Sequence, residues 1–228
     1  MISEKEEFLN KCKDPEFVQN IVVQFSKLYY YLSAYGMTWK NTSWMGIPIQ
    51  KTPTDCFVYQ EILYYLRPDY IIETGTKAGG SALFFASICD IIEHGEVITV
   101  DVDNEKTENL PKHSRITYLT GSSVDNEIIE FIGKKVENKK VMIILDSDHA
   151  KHHVLKELEL YSRFIQVNDY LIVEDTNCSG HPVIGMEGEG PLEAVQEFLA
   201  IHRNFKVDRE CEKFLLTFAP SGFLYRAY

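Results

Sequence analysis

The chain has 228 residues, 45% of them hydrophobic and 25% charged, which fits one ordinary α/β domain and excludes a disordered chain. With 23 Lys+Arg against 34 Asp+Glu, the net charge is −11. That balance argues against a general grip on nucleic acid and against a polybasic membrane anchor. Cys12, Cys56, Cys89, Cys178 and Cys211 are odd in number and form no CxxC pair. They point away from a disulfide framework or structural zinc and toward a reducing, cytoplasmic setting. The charged start MISEKEEFLNKCKD and the lack of a long apolar run predict neither signal peptide nor membrane span.

In chain order, the first part reads as helical. Asp14 before Pro15 is a helix start, with apolar and aromatic residues through Leu32. A loop rich in turn formers and aromatics follows, MTWKNTSWMGIPIQKTPT, and then a helix from about Asp55 to Leu66, stopped by Pro68. The texture then changes. Apolar runs at 70–72, 97–100, 141–145 and 170–173 read as strands buried on both faces, with a shorter strand at 116–121. Helical stretches at 80–92, 126–136 and 151–164 alternate with them, the pattern of a parallel sheet covered on both sides. At the end, KFLLTFAP and GFLYRAY flank Pro220-Ser221-Gly222 and read as an antiparallel hairpin.

Ligands of open parallel sheets bind beyond the carboxyl ends of the strands. Four of the predicted strands end in acid there: Glu73, Asp101, the Asp146/Asp148 pair, and Glu174-Asp175. Exposed acids are common at strand ends, but four together repel one another unless cations are present. The first loop, Glu73-Thr74-Gly75-Thr76-Lys77-Ala78-Gly79-Gly80-Ser81, lacks GxGxxG spacing, because Lys77 stands in place of the second glycine. That glycine serves a pyrophosphate. S-adenosylmethionine (SAM) has none, and its amine and sulfonium are both positive. Glu73 is expected near that positive end, Asp101 on the ribose hydroxyls, and Gly121, Ser122 and Ser123 beside the adenine.

Asp146 and Glu174-Asp175 are separated by about one strand–helix–strand step, so adjacent strands would bring them together. Three carboxylates suit a hard cation, Mg²⁺ or Mn²⁺, with Asp148 the alternative to Asp146 as ligand. His149 follows at the start of the next helix, where it could accept a proton from a metal-bound hydroxyl. His94, His113, His152, His153 and His202 read as surface residues, and His181 as facing substrate. Trp39, Trp44, Met37 and Met45, and the glycine-rich 177–190 segment, read either as lids over an acceptor or as ordinary loop packing.

The segments PTDCFVYQEILYYLRPDYIIETGTKAGGSALFFAS, ITYLTGSSVD, ILDSDHAKHHVLKELELYS, YLIVEDTN and EKFLLTFAPSGFLYR resemble the cephalosporin hydroxylase family from about Trp44 to the C terminus. That family groups with SAM- and metal-dependent O-methyltransferases of small molecules. The resemblance implies a class I methyltransferase fold, a Rossmann-like α/β sheet, and carries nothing over to the first ~45 residues. The chain divides into residues 1–53, a helical segment and lid loop, and 54–228, the methyltransferase domain. The resemblance implies SAM at Glu73, Thr74, Gly75, Lys77, Gly79, Gly80, Ser81, Asp101, Gly121, Ser122, Ser123 and Asp146. It also implies Mg²⁺ on Asp146, Glu174 and Asp175, His149 as base, and a small-molecule hydroxyl acceptor. A homo-oligomer is expected, with the aromatic N-terminal helix either at its interface or covering the sheet. The competing readings are a nicotinamide-dependent oxidoreductase and a non-catalytic binding protein on the same sheet.

Overall fold

The computed structural model describes residues 3–103, 109–185 and 187–228. Helices α1 (Glu4–Lys11) and α2 (Pro15–Tyr31) lead, and Asp14 caps α2 by accepting from the Glu16 N–H at 3.0 Å. Two strands of two residues follow, β1 (Ser43–Trp44) and β2 (Ile47–Pro48). The Met45-Gly46 turn between them takes positive φ at both residues, the conformation a tight hairpin needs. The sequence reads this stretch as loop, because two residues are too few to show a period. Helix α3 (Pro53–Leu66) starts two residues earlier than expected, because Thr52 caps it: Thr52 Oγ1 accepts from the Asp55 N–H at 3.0 Å.

The remaining strands are β3 (Tyr70–Thr74), β4 (Glu96–Asp101), β5 (Ile116–Thr120), β6 (Val141–Leu145), β7 (Tyr170–Val173), β8 (Phe205–Val207) and β9 (Phe223–Arg226). Between them lie α4 (Gly80–Ile91), α5 (Asn126–Val136), α6 (Lys151–Tyr161) and α7 (Pro191–Ile201). Seven strands form one sheet in the order β5-β4-β3-β6-β7-β9-β8. All neighbours are parallel until β9, which runs antiparallel to both β7 and β8.

Strand alternation divides the core. Ile72, Ile98, Ile143, Leu145 and Leu171 face α5, α6 and α7, while Ile71, Val97, Met142, Ile144 and Ile172 face α3 and α4. Burial on both faces explains why these strands are apolar throughout.

The terminal antiparallel pair is present, but its first strand is β8 at 205–207, not the 213–220 segment expected from sequence. That segment is irregular, and Asp55, buried in α3, holds it: Asp55 Oδ2 accepts from the Phe218 N–H at 2.9 Å. α7 and β8 go beyond the elements read from sequence. Among the described residues, no helix is long and apolar enough to cross a membrane.

Candidate active site

From β3 the chain proceeds to β4 and β5 on one side and later to β6 on the other. The crevice therefore opens at the carboxyl ends of β3, β4 and β6, and a cavity of about 570 Å³ lies there. Gly75 makes its floor. Its φ is +93°, and a Cβ there would stand 2.0 Å from the Asp146 carbonyl oxygen, so only glycine lets the loop cross β6 so closely. A Cβ on Gly80 would meet the Pro48 oxygen at 2.1 Å, which seats the 48–52 segment on the start of α4.

Of the expected cofactor residues, Gly75, Lys77, Gly80, Ser81, Asp101, Gly121, Ser122, Ser123 and Asp146 line this cavity. Asp101 is held on both oxygens: Oδ2 accepts from the Lys77 N–H at 2.8 Å and Oδ1 from the Asp103 N–H at 3.1 Å. Each oxygen keeps a lone pair for a ligand hydroxyl. Glu73, Thr74 and Gly79 are not on the cavity wall. Glu73 is wholly buried beneath it, with Oε2 accepting from Thr99 Oγ1 at 2.9 Å and Oε1 without a hydrogen-bond partner. Burial raises its pKa to about 7 against the opposing charge of Lys51. A direct contact of Glu73 with a ligand's positive end does not follow from this placement.

The acidic cluster divides. Ligand atoms of Asp146, His149 and Asp175 lie within 4.8 Å of one another, and all three residues line the cavity. Asp175 has φ +53°, a left-handed turn directly after β7 that is costly for a residue with a side chain. His149 Nε2 lies 3.1 Å from Asp175 Oδ2. Burial alone would lower the His149 pKa, but Asp175, with Asp146 and Glu174 behind it, raises it to about 9.

Glu174 lies apart from this trio, turned into the core. Its Oε1 accepts from Lys51 Nζ at 2.7 Å and from the Tyr59 hydroxyl. The same ammonium reaches Asp146 Oδ2 at 3.1 Å. Asp148 Oδ1 accepts from the Ala150 N–H at 2.8 Å and so closes the turn into α6.

Lys51, at 4% exposure, is absent from the sequence reading. A lone lysine in a loop carries no signal; only the fold brings it under two acids. His153 also corrects the sequence reading, since it lines the cavity, with Nε2 3.2 Å from both Ser123 Oγ and Ser147 Oγ. His181 does not reach the cavity, because its Nε2 lies 2.6 Å from Glu193 Oε1 at the start of α7. Trp39 lines the cavity, stacked on Tyr30 at 5.3 Å, whereas Trp44 packs edge-on against Phe84 of α4 and donates to Ser87 Oγ. The 177–190 segment contributes Cys178 and Gly185 to the wall and is tied to α2, the Ile184 N–H donating to the Tyr31 hydroxyl at 2.7 Å.

A seven-stranded sheet with one antiparallel strand near its edge, a glycine turn after its central strand and an acid after the next defines a class I methyltransferase fold. The Rhamnosyl O-methyltransferase/CmcI family matches residues 36–227, and the chain belongs to that family. It is 38% identical over 216 residues to the rhamnosyl O-methyltransferase of Mycobacterium leprae (strain TN), covering 91% of each chain. To the rhamnosyl O-methyltransferase of Mycobacterium tuberculosis (strain ATCC 25618 / H37Rv) it is 39% identical over 215 residues, covering 90% of this chain and 85% of that one.

Among solved structures, apo CmcI superposes with a TM-score of 0.63 at 21% identity over 83% of this chain and 77% of that one. CmcI with Mg and SAM gives 0.62 at 21%, over 83% and 78%. These two likenesses bear on the fold alone. Its family and its 38–39% identical relatives make the chain an O-methyltransferase rather than an oxidoreductase.

Proposed function

We propose that the chain moves the methyl of S-adenosylmethionine onto a hydroxyl of a saccharide or saccharide-bearing natural product, with Mg²⁺ or Mn²⁺ held at Asp146 and Asp175. The observation that carries this reading is the convergence of Asp146, Asp175 and His149 on the wall of the cavity that also holds Gly75 and Asp101. Two carboxylates with open space before them fit a hard dication, whose remaining positions take water and substrate oxygens. The names of the 38–39% identical relatives support a sugar acceptor.

The residues then divide the work. Asp101, fixed by two backbone N–H groups, accepts the ribose hydroxyls. Gly75 lets the ligand approach the loop backbone. Asp175 holds the His149 imidazole in place, and His149 takes the acceptor's proton. When bound, the dication would acidify the acceptor hydroxyl and, by satisfying the carboxylates, leave His149 neutral and able to act as base. The acceptor oxygen then forms its bond to the methyl carbon as the carbon–sulfur bond breaks, giving S-adenosylhomocysteine and a methyl ether. Trp39, on the cavity wall, packs against the sugar. Residues 1–53 serve as the cap over the site and 54–228 as the catalytic unit. Five free cysteines suit a reducing, cytoplasmic setting.

The acceptor class is tested by incubating the enzyme with SAM, Mg²⁺ and a panel of rhamnosides, other glycosides and aglycone alcohols. Methylation of rhamnosides above the alcohols is expected; methylation of aglycones alone would contradict a saccharide acceptor. Self-association is also part of the proposal. Ile21, Phe25 and Leu28 are exposed along the outward side of α2, whereas Tyr29 and Tyr30 pack on Phe218. Sedimentation should show an oligomer that Phe25→Glu weakens; a wild-type monomer would contradict it.

A further inference from the structure

A buried polar chain joins the core to the cavity, and of its members only Ser123 has been given a role above. α6 presents His153, Glu157 and Tyr161 at successive four-residue steps, on one face. Tyr161, fully buried, donates to the Ser123 carbonyl oxygen at 2.9 Å. Glu157 is also fully buried, and its Oε1 accepts from Ser147 Oγ at 2.7 Å while Oε2 has no hydrogen-bond partner. His153 Nε2 lies 3.2 Å from the hydroxyls of both Ser147 and Ser123.

The carboxylate sets the direction of the first bond, and the tautomer of His153 sets the rest. A carboxylate only accepts, so Ser147 gives its one proton to Glu157. The His153–Ser147 contact is then a hydrogen bond in the tautomer that carries the proton on Nε2, where His153 donates. In that tautomer the N–H is shared with Ser123 Oγ, which can only accept from it. The proton of Ser123 is left over, and Ser123 lines the cavity. A buried carboxylate is costly where an apolar side chain would pack. Orienting a hydroxyl gives this one a use.

We infer that His153 and Glu157 are positioning residues for the nucleobase: Glu157 through Ser147 fixes the proton on His153, and His153 in turn aims the Ser123 hydroxyl proton at adenine N1. The inference rests on the proposed seat of the adenine beside Gly121–Ser123. Neither residue needs to touch the ligand.

Calorimetry with S-adenosylhomocysteine and S-inosylhomocysteine tests it, because the second base carries N1–H where adenine has an acceptor. The wild-type chain should bind the adenine ligand roughly tenfold or more tightly. His153→Phe and Glu157→Leu should weaken S-adenosylhomocysteine about tenfold and leave S-inosylhomocysteine unchanged, so that discrimination collapses. Glu157→Gln keeps an oxygen for Ser147 and should retain discrimination, an outcome a purely structural role would not require. If Glu157→Leu does not fold, Ser147→Ala breaks the same chain and should give the same collapse. Folded variants with full wild-type discrimination, or a wild type that does not discriminate, would overturn the inference and leave methyl transfer standing. A wild type that fails to bind S-adenosylhomocysteine would overturn both.

Discussion

Lys51 sets the charge balance of the site. Its ammonium lies between Asp146 Oδ2 and Glu174 Oε1, and nearby acids raise its pKa well above the ordinary value even though burial opposes them. Removing one partner of a buried pair leaves the other charge uncompensated, at a cost of about 3–5 kcal/mol. Lys51→Met should therefore lower unfolding stability by that order in urea titrations, and Lys51→Met with Glu174→Gln should recover part of the loss. A single variant as stable as wild type would show that the ammonium is not needed there.

The residues that sequence made legible are those fixed to strand ends. Asp101, Asp146 and Asp175 could be placed because a strand end is a position with a known direction. Glu174 belongs to the same doublet as Asp175, yet it turns inward. The left-handed φ of Asp175 and the ammonium of Lys51 that go with this are not visible in a doublet of acids.

At the scale of elements, the loop after β3 owes its path to Gly75. Gly36 provides the contrast: its φ is +70°, but nothing lies within 4 Å of where its Cβ would stand. Gly36→Ala should cost only the backbone term, about 1 kcal/mol, whereas Gly75→Ala adds a collision with the Asp146 carbonyl. The second variant should lose S-adenosylhomocysteine binding in calorimetry as well as stability, and the first should keep binding. Equal behaviour of the two would remove the close approach as a constraint. Strands buried on both faces were legible as unbroken apolar runs. α7 was not, because its four inward residues, Pro191, Ala194, Val195 and Phe198, follow a polar loop that sets no boundary. β8, the outer neighbour of β9, is three residues long, shorter than any pattern that sequence can show.

At the scale of the whole molecule, two buried acids make stability depend on pH. Asp55 and Glu73 are raised by burial from 3.8 and 4.5 to about 7. The folded protein therefore holds more protons than the unfolded chain between about pH 4 and 7. That contribution is full below the unfolded values and is lost as pH rises through 7. The melting temperature should fall from pH 5 to pH 8, and Asp55→Asn, which keeps an acceptor for the Phe218 N–H, should flatten the slope. A melting temperature that rises over this range would contradict the assignment.

The same sheet gathers its acids at one end, and the account as a whole depends on Asp146 and Asp175 sharing a dication within reach of the methyl donor. Single-turnover transfer of a labelled methyl from SAM to a rhamnoside, with Mg²⁺ and then with EDTA, tests this most directly. Transfer should stop in EDTA, return when Mg²⁺ is restored, and stay absent in Asp175→Asn; undiminished transfer in EDTA would contradict it.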